Sequence, residues 1–198
     1  KQPKNLNLSL SLSKVYHEQG DITAALDVLT TSLNRISLSA RVALNQELKT
    51  GVKKGQSTLT QKSDEAYLAD EFSRLGVNLL ERKKYLEALS AFQSLYSLAQ
   101  DYPMVKYYMG MSRKGMKQYN QAKQLFVEQS QEDIAKKQLL SDLAALVDVL
   151  ASTMDIPVIL STKKRYEALL EEENEPKDED EIKNKIVMLE GLHARSEE

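Results

Sequence analysis

Cysteine is absent from the 198 residues, and histidine occurs only twice, at His17 and His193. The first absence removes disulfides, thiolate chemistry and cysteine-based zinc sites. It leaves the compartment open, because a chain without cysteine folds in either redox environment. With two histidines so far apart, no His-x-x-x-His pair can form, and no calcium loop or dinucleotide fingerprint occurs. His17 reads as a surface residue and His193 as a packing residue on an apolar stripe. No metal ligand set and no cofactor are therefore expected.

Breakers are scarce too, with seven glycines and four prolines, while Leu, Ala, Lys, Glu and Gln are abundant. That balance favours long helices. Charge of one sign is also missing: 27 basic against 29 acidic residues give a net charge of −2 and a pI near 5.9. No general field attracts nucleic acid. The lysines Lys49, Lys53, Lys54 and Lys62 make only a local basic stretch without interleaved aromatics, so no nucleic-acid partner is expected. The longest apolar run, Leu143 to Val147, is bracketed by Asp142 and Asp148, far short of the roughly 20 residues of a membrane span. The sequence begins at Lys1 without an initiator methionine, which suggests a fragment or processed form. The default compartment is cytoplasmic, with others open if the N-terminus was trimmed.

Against this background, a self-comparison is informative. Gly76 and Gly110, Tyr85 and Tyr119, Ala88 and Ala122, and Phe92 and Phe126 are each 34 residues apart. Leu75, Gly76 and Leu79 share one face of a first helix, and Tyr85, Ala88, Leu89 and Phe92 form the stripe of a second. Small residues at Gly76 and Ala88 let the two helices approach, and the bulky ones fill the gaps around them. These residues, with Phe72 and Met109, resemble the tetratricopeptide repeat family. Leu95, Gln129 and Arg113 depart from its pattern. A weaker copy lies upstream at Leu12, Ser13, Tyr16, Gly20, Ile22, Ala25 and Leu29.

The expected fold is all-α, a right-handed α-solenoid of antiparallel helix pairs with about 3–4 hairpins plus a C-terminal helix. The repeat domain covers 1–170, with repeats at 6–49, 64–102 and 103–134 and a degenerate pair at 135–170. In the first repeat, a long second helix is expected to reach Leu48, followed by a loop at 50–63. An acidic linker at 171–181 precedes a C-terminal amphipathic helix at 182–198, free to dock on the open end of the stack or to await a partner. Leu6 to Ser13 alternates strictly, a strand signal. Leu is not β-branched and no partner strand is in sight, so helix is expected there. Ser130 and Asp133 resemble a capping box, and Pro103 and Pro157 are expected to open helices.

Phosphate binding at Gly51–Ser57 fails on spacing, since Gln56 stands where lysine is needed. The acidic run, with its proline and no turn glycine, lacks a calcium cage. Carboxylates are abundant on helical faces, yet no catalytic pair stands out, so no enzyme is expected. What the resemblance implies is a concave face lined by first helices. By position it offers Asp70, Ser73, Arg74, Val77 and Leu80 from one repeat, and Met104, Tyr107, Tyr108, Met111 and Lys114 from the next. Gln138, Ser141, Asp142 and Ala145 follow. Tyr107 and Met111 read equally well as groove or core. At the positions where some members clamp a terminal carboxylate stand Leu10, Lys14, Arg74, Val77, Met104 and Tyr108, which implies no such clamp and a more apolar ligand. The function expected is to bind a protein or peptide partner. The alternatives are a structural subunit that self-associates into a homo-oligomer, or an accessory domain of a larger enzyme.

Overall fold

The computed structural model describes residues 6–54, 62–132, 136–171 and 179–196. Ten helices and no strand occur among them. They fall into two compact units, 1–116 and 117–198.

The first unit begins with α1 (Leu6–Glu18) and α2 (Ile22–Leu33). The alternating leucines are helical, as expected. Leu10 and Ser13 turn inward, whereas Leu8, Leu12 and Val15 remain 64%, 41% and 46% exposed, so the alternation gives one helix two apolar sides. Gly20 takes a positive φ of 82° in the turn, which glycine adopts at little cost. Asp21 then caps α2 by accepting from Ala24 N at 3.0 Å.

The expected long second helix does not exist. The chain breaks after Leu33, and α3 (Leu38–Lys54) follows as a separate helix. Two local devices cause the break. Asn34 ends α2 by bonding back to Thr30 and Ser32, and Ser37 Oγ accepts from Ala40 N at 3.3 Å to start α3. Arg41 then bonds the carbonyls of Leu33 at 3.0 Å and Ser97 at 3.1 Å, satisfying acceptors at the ends of two helices with one guanidinium. The helical path through 50–54 also corrects the first part of the expected loop. The rest of that loop, 55–61, lies outside the described residues.

A second hairpin follows, α4 (Asp64–Glu81) and α5 (Tyr85–Leu98). Ser63 caps α4 through Ala66 N at 3.2 Å, with Asp64 and Glu65 in the first turn favourable to the helix dipole. The unit closes with α6 (Val105–Gly115), which packs on α5 and α4. Pro103 does not open this helix: Met104, in a left-handed conformation at φ 62°, is its N-cap. Leu68, Phe72, Leu75, Leu79, Ala88, Phe92, Leu95 and Leu98 form the centre of the core. A Cβ on Gly76 would lie 2.6 Å from the Phe92 ring, so only glycine admits that ring. Gly115 admits the Tyr85 ring in the same way.

The second unit contains α7 (Tyr119–Glu132), α8 (Lys136–Thr153), α9 (Ile156–Glu171) and α10 (Glu179–Arg195). Most of its packing pairs α7 with α8 and α9 with α10. Ser130 does not begin a helix. It lies in the last turn of α7, donating to Val127 O at 2.8 Å, and Asp133 is outside the described residues. Asp155 is the start signal for α9, accepting from Val158 N at 3.3 Å, and Pro157 sits harmlessly in the first turn. The C-terminal helix docks on α9 through Ile182, Leu189 and Leu192.

At the 34-residue offset, burial matches position by position. Gly76 and Gly110 are buried, Tyr85 and Tyr119 half-buried, and Ala88, Ala122, Phe92 and Phe126 fully buried.

Candidate functional site

The first helices of the two hairpins, α1 and α4, pack side by side and leave a groove between them. Its cavity, about 480 Å³, is lined by Asn7, Leu10, Ser11 and Lys14 from α1 and by Tyr67, Asp70, Glu71 and Arg74 from α4. The spacing explains the walls. Residues 7, 11 and 14, like 67, 71 and 74, recur every three or four positions and so share a helix face. Leu10 supplies an apolar floor, and Tyr67 stands 48% exposed at the rim.

The acids of the groove are already engaged. Asp70 accepts from the Tyr102 hydroxyl at 3.0 Å and from Lys62 Nζ at 2.8 Å. Burial pushes the Tyr102 hydroxyl up to about 12, so it stays a proton donor. Glu71, only 5% exposed, accepts from Arg74 Nε at 3.0 Å and Nη2 at 2.5 Å and from Ser13 Oγ at 3.5 Å. A buried carboxylate needs such partners, because desolvating an unpaired charge is costly. The remaining Arg74 nitrogen, Nη1, lies 2.9 Å from His17 Nδ1. A polar seam, Ser13–Glu71–Arg74–His17, therefore ties α1 to α4 along one edge of the groove. Lys14 is exposed.

The residues expected on the inner face divide in the structure. Asp70 and Arg74 line the cavity. Ser73 is half-buried and bonds to the Tyr102 hydroxyl. Val77 and Leu80 pack on the core. On α6, Tyr108 is stacked on Phe92 with ring centres 5.2 Å apart and planes 10° apart, so its ring is spent on packing. Tyr107 meets Tyr108 edge-on at 5.5 Å. Met104, Met111 and Lys114 are half-buried. In the second unit, Gln138 is exposed, Ser141 half-buried, and Asp142 and Ala145 buried.

Sequence reasoning missed four wall residues, Asn7, Ser11, Tyr67 and Glu71, as well as Tyr102. A helical-wheel projection of α1 and α4 carries the signal for Tyr67, Glu71 and Arg74. No local pattern announces Tyr102, which reaches Asp70 from 32 residues away.

No family model matches the sequence. No curated protein matches it either. Among solved structures the chain is similar to one described as "MamA RS-1 ArsTM double mutant", at 14% identity over 100% of this chain and 99% of that one, with a TM-score of 0.26. At so low a score, the functional reading rests on the chain's own geometry. Among the described residues, no group of three or more His, Cys, Asp or Glu could hold a metal ion, and no helix is long and apolar enough to cross a membrane.

Proposed function

We propose that this protein is a non-catalytic interaction scaffold of the tetratricopeptide type, with the right-handed stacking of that family, and that it serves as an adaptor in complex assembly. Its groove between α1 and α4 would hold a peptide or helix of a partner protein. The observation that carries this reading is the division of labour in the groove wall: both acids are satisfied internally, while Tyr67, Leu10, Asn7, Ser11 and Lys14 face the cavity. Tyr67 gives a large contact area with a polar edge, as binding surfaces favour. The fitting ligand presents an apolar side chain to Leu10 and Tyr67 and an acceptor to Lys14.

Selection from a displayed random-peptide library tests this directly. Enriched peptides are expected to lose binding to the Tyr67→Ala and Lys14→Glu variants, both of which should keep the parent melting curve, because exposed substitutions usually shift stability by about 0.5 kcal/mol or less. Failure to enrich any peptide, or enrichment indifferent to both variants, would overturn the reading.

Self-association is a second reading, favoured by the exposed Leu8, Leu12 and Val15 of α1. Sedimentation of the parent chain against Leu12→Glu separates it from the first.

A further inference from the structure

The seam beside the groove contains one group that changes charge near neutral pH, and its position is unusual. His17 sits at the end of α1 facing the Arg74 guanidinium of α4, with Nδ1 at 2.9 Å and Nε2 at 3.4 Å from Arg74 Nη1. A guanidinium has only donors and cannot take a hydrogen bond from an imidazole N–H. The neutral ring tolerates the guanidinium at this distance without opposing charge. The protonated ring carries a proton on each nitrogen and a positive charge against another.

The surroundings offer the protonated ring little relief. Arg74 already holds both oxygens of Glu71. The charges acting on His17 are Arg74 and Glu71 from α4, Arg82 just after its end, and Glu18 from α1 itself. The neighbouring α2 carries two acids, Asp21 at its cap and Asp27 within it. Burial, and then Arg74, hold the imidazole below its ordinary value.

We propose that His17 is a proton-operated staple across the α1–α4 groove, closed while the imidazole beside Arg74 is neutral and released when it is protonated. This rests on the reading of the groove as a binding site and adds its regulation: the groove loosens in acid and regains its shape toward neutral pH. The sign follows from linkage. The neutral ring is favoured in the folded state, so its contribution is present above the unfolded value of about 6.5 and is lost as the pH falls below it. A second polar contact between α1 and α4 at this seam, Ser13 on Glu71 at 3.5 Å, is long for a hydrogen bond.

The absence of cysteine makes the test clean. Spin labels on cysteines introduced at Ser11 and Tyr67 report the separation of the two groove walls without any ligand. The distance distribution is expected to broaden and lengthen as the pH falls from 7.5 to 5, with the midpoint of the His17 proton titration measured by NMR. The His17→Gln variant, which offers Arg74 an acceptor but cannot titrate, is expected to stay closed over the same range. Equal movement in His17→Gln, or a His17 titration with no movement of the labels, overturns the staple. The measurement needs no peptide, so a failed peptide selection would count against the groove's function without touching this result.

Discussion

In the first unit the Phe92 ring lies against Gly76 and stacks on Tyr108, so three helices meet through one aromatic side chain. In the second unit Arg165 of α9 reaches the hydroxyl of Ser130 on α7 at 2.6 Å and also bonds its carbonyl, with the buried Asp142 acting on the same guanidinium. Lys123 of α7 likewise pairs with Asp155 at the start of α9. The first unit closes its centre by fitting rings to missing side chains and ties its edges with Arg41 and the Glu71–Arg74 seam, while the second ties α7 to the start and body of α9 through Lys123 and Arg165. Ring-on-glycine packing fixes residue identity at set spacing, which is why it leaves a visible period. A polar tie needs only one long side chain within reach, so its partners carry no regular spacing.

That comparison can be broken or sharpened by substitution. The largest effect is expected for Phe92→Ala and Phe126→Ala, each removing a fully buried ring, at about 3–5 kcal/mol. Native-state hydrogen exchange should show Phe92→Ala loosening α4 to α6 and Phe126→Ala loosening α7 and α8, since local opening follows the cooperative units. Loss of protection spread evenly over all ten helices would erase the distinction between the units.

Gly76→Ala should cost about 1–3 kcal/mol by overpacking, because Phe92 is enclosed and has nowhere to retreat. Combining it with Phe92→Leu should cost less than the two changes added, and simple additivity in denaturant titrations would argue against the close fit. Arg165→Met should cost about 1–3 kcal/mol by leaving buried acceptors on Ser130 unsatisfied. A melting curve identical to the parent's would show that this tie contributes nothing to the second unit.

The smallest effect, about 1 kcal/mol, is expected for Asp155→Ala, which removes the cap of α9. Here the pH dependence is diagnostic. The hydrogen bond from Lys123 holds the Asp155 carboxyl below its ordinary value. Its contribution is therefore present above the unfolded value of about 3.9 and fades as the pH falls through the lower folded value. The gap between parent and Asp155→Asn should close in that acid range, and a gap unchanged down to pH 2 would point to packing instead.

Much of the first unit was legible. The 34-residue spacing picked out Gly76, Ala88 and Phe92, and the structure buries all three together. The break between α2 and α3 was not legible. Ser37 is a weak start signal by itself, and the apolar periodicity running on toward Leu48 hid it. Pro103 misled for a related reason, since proline tolerates the first turn of a helix without requiring one, and Met104 took the cap in a left-handed conformation instead. At the groove, Asp70 and Arg74 were among the positions that the resemblance implied, and both line the cavity. Glu71 was not among them, because its charge is acceptable in a buried place only once Arg74 and Ser13 are known to surround it.

By itself, then, the sequence determined helix over strand, the hairpin at 64–98 and the residues that allow its two helices to touch. Those outcomes depend on side-chain size and spacing along one chain. Tertiary structure alone decided that Tyr102 would hold Asp70, that Arg41 would cap two helices at once, and that His17 would face a guanidinium. Each of these joins groups distant in sequence, and hydrogen bonds and charge pairs depend on separations in space that no local pattern encodes.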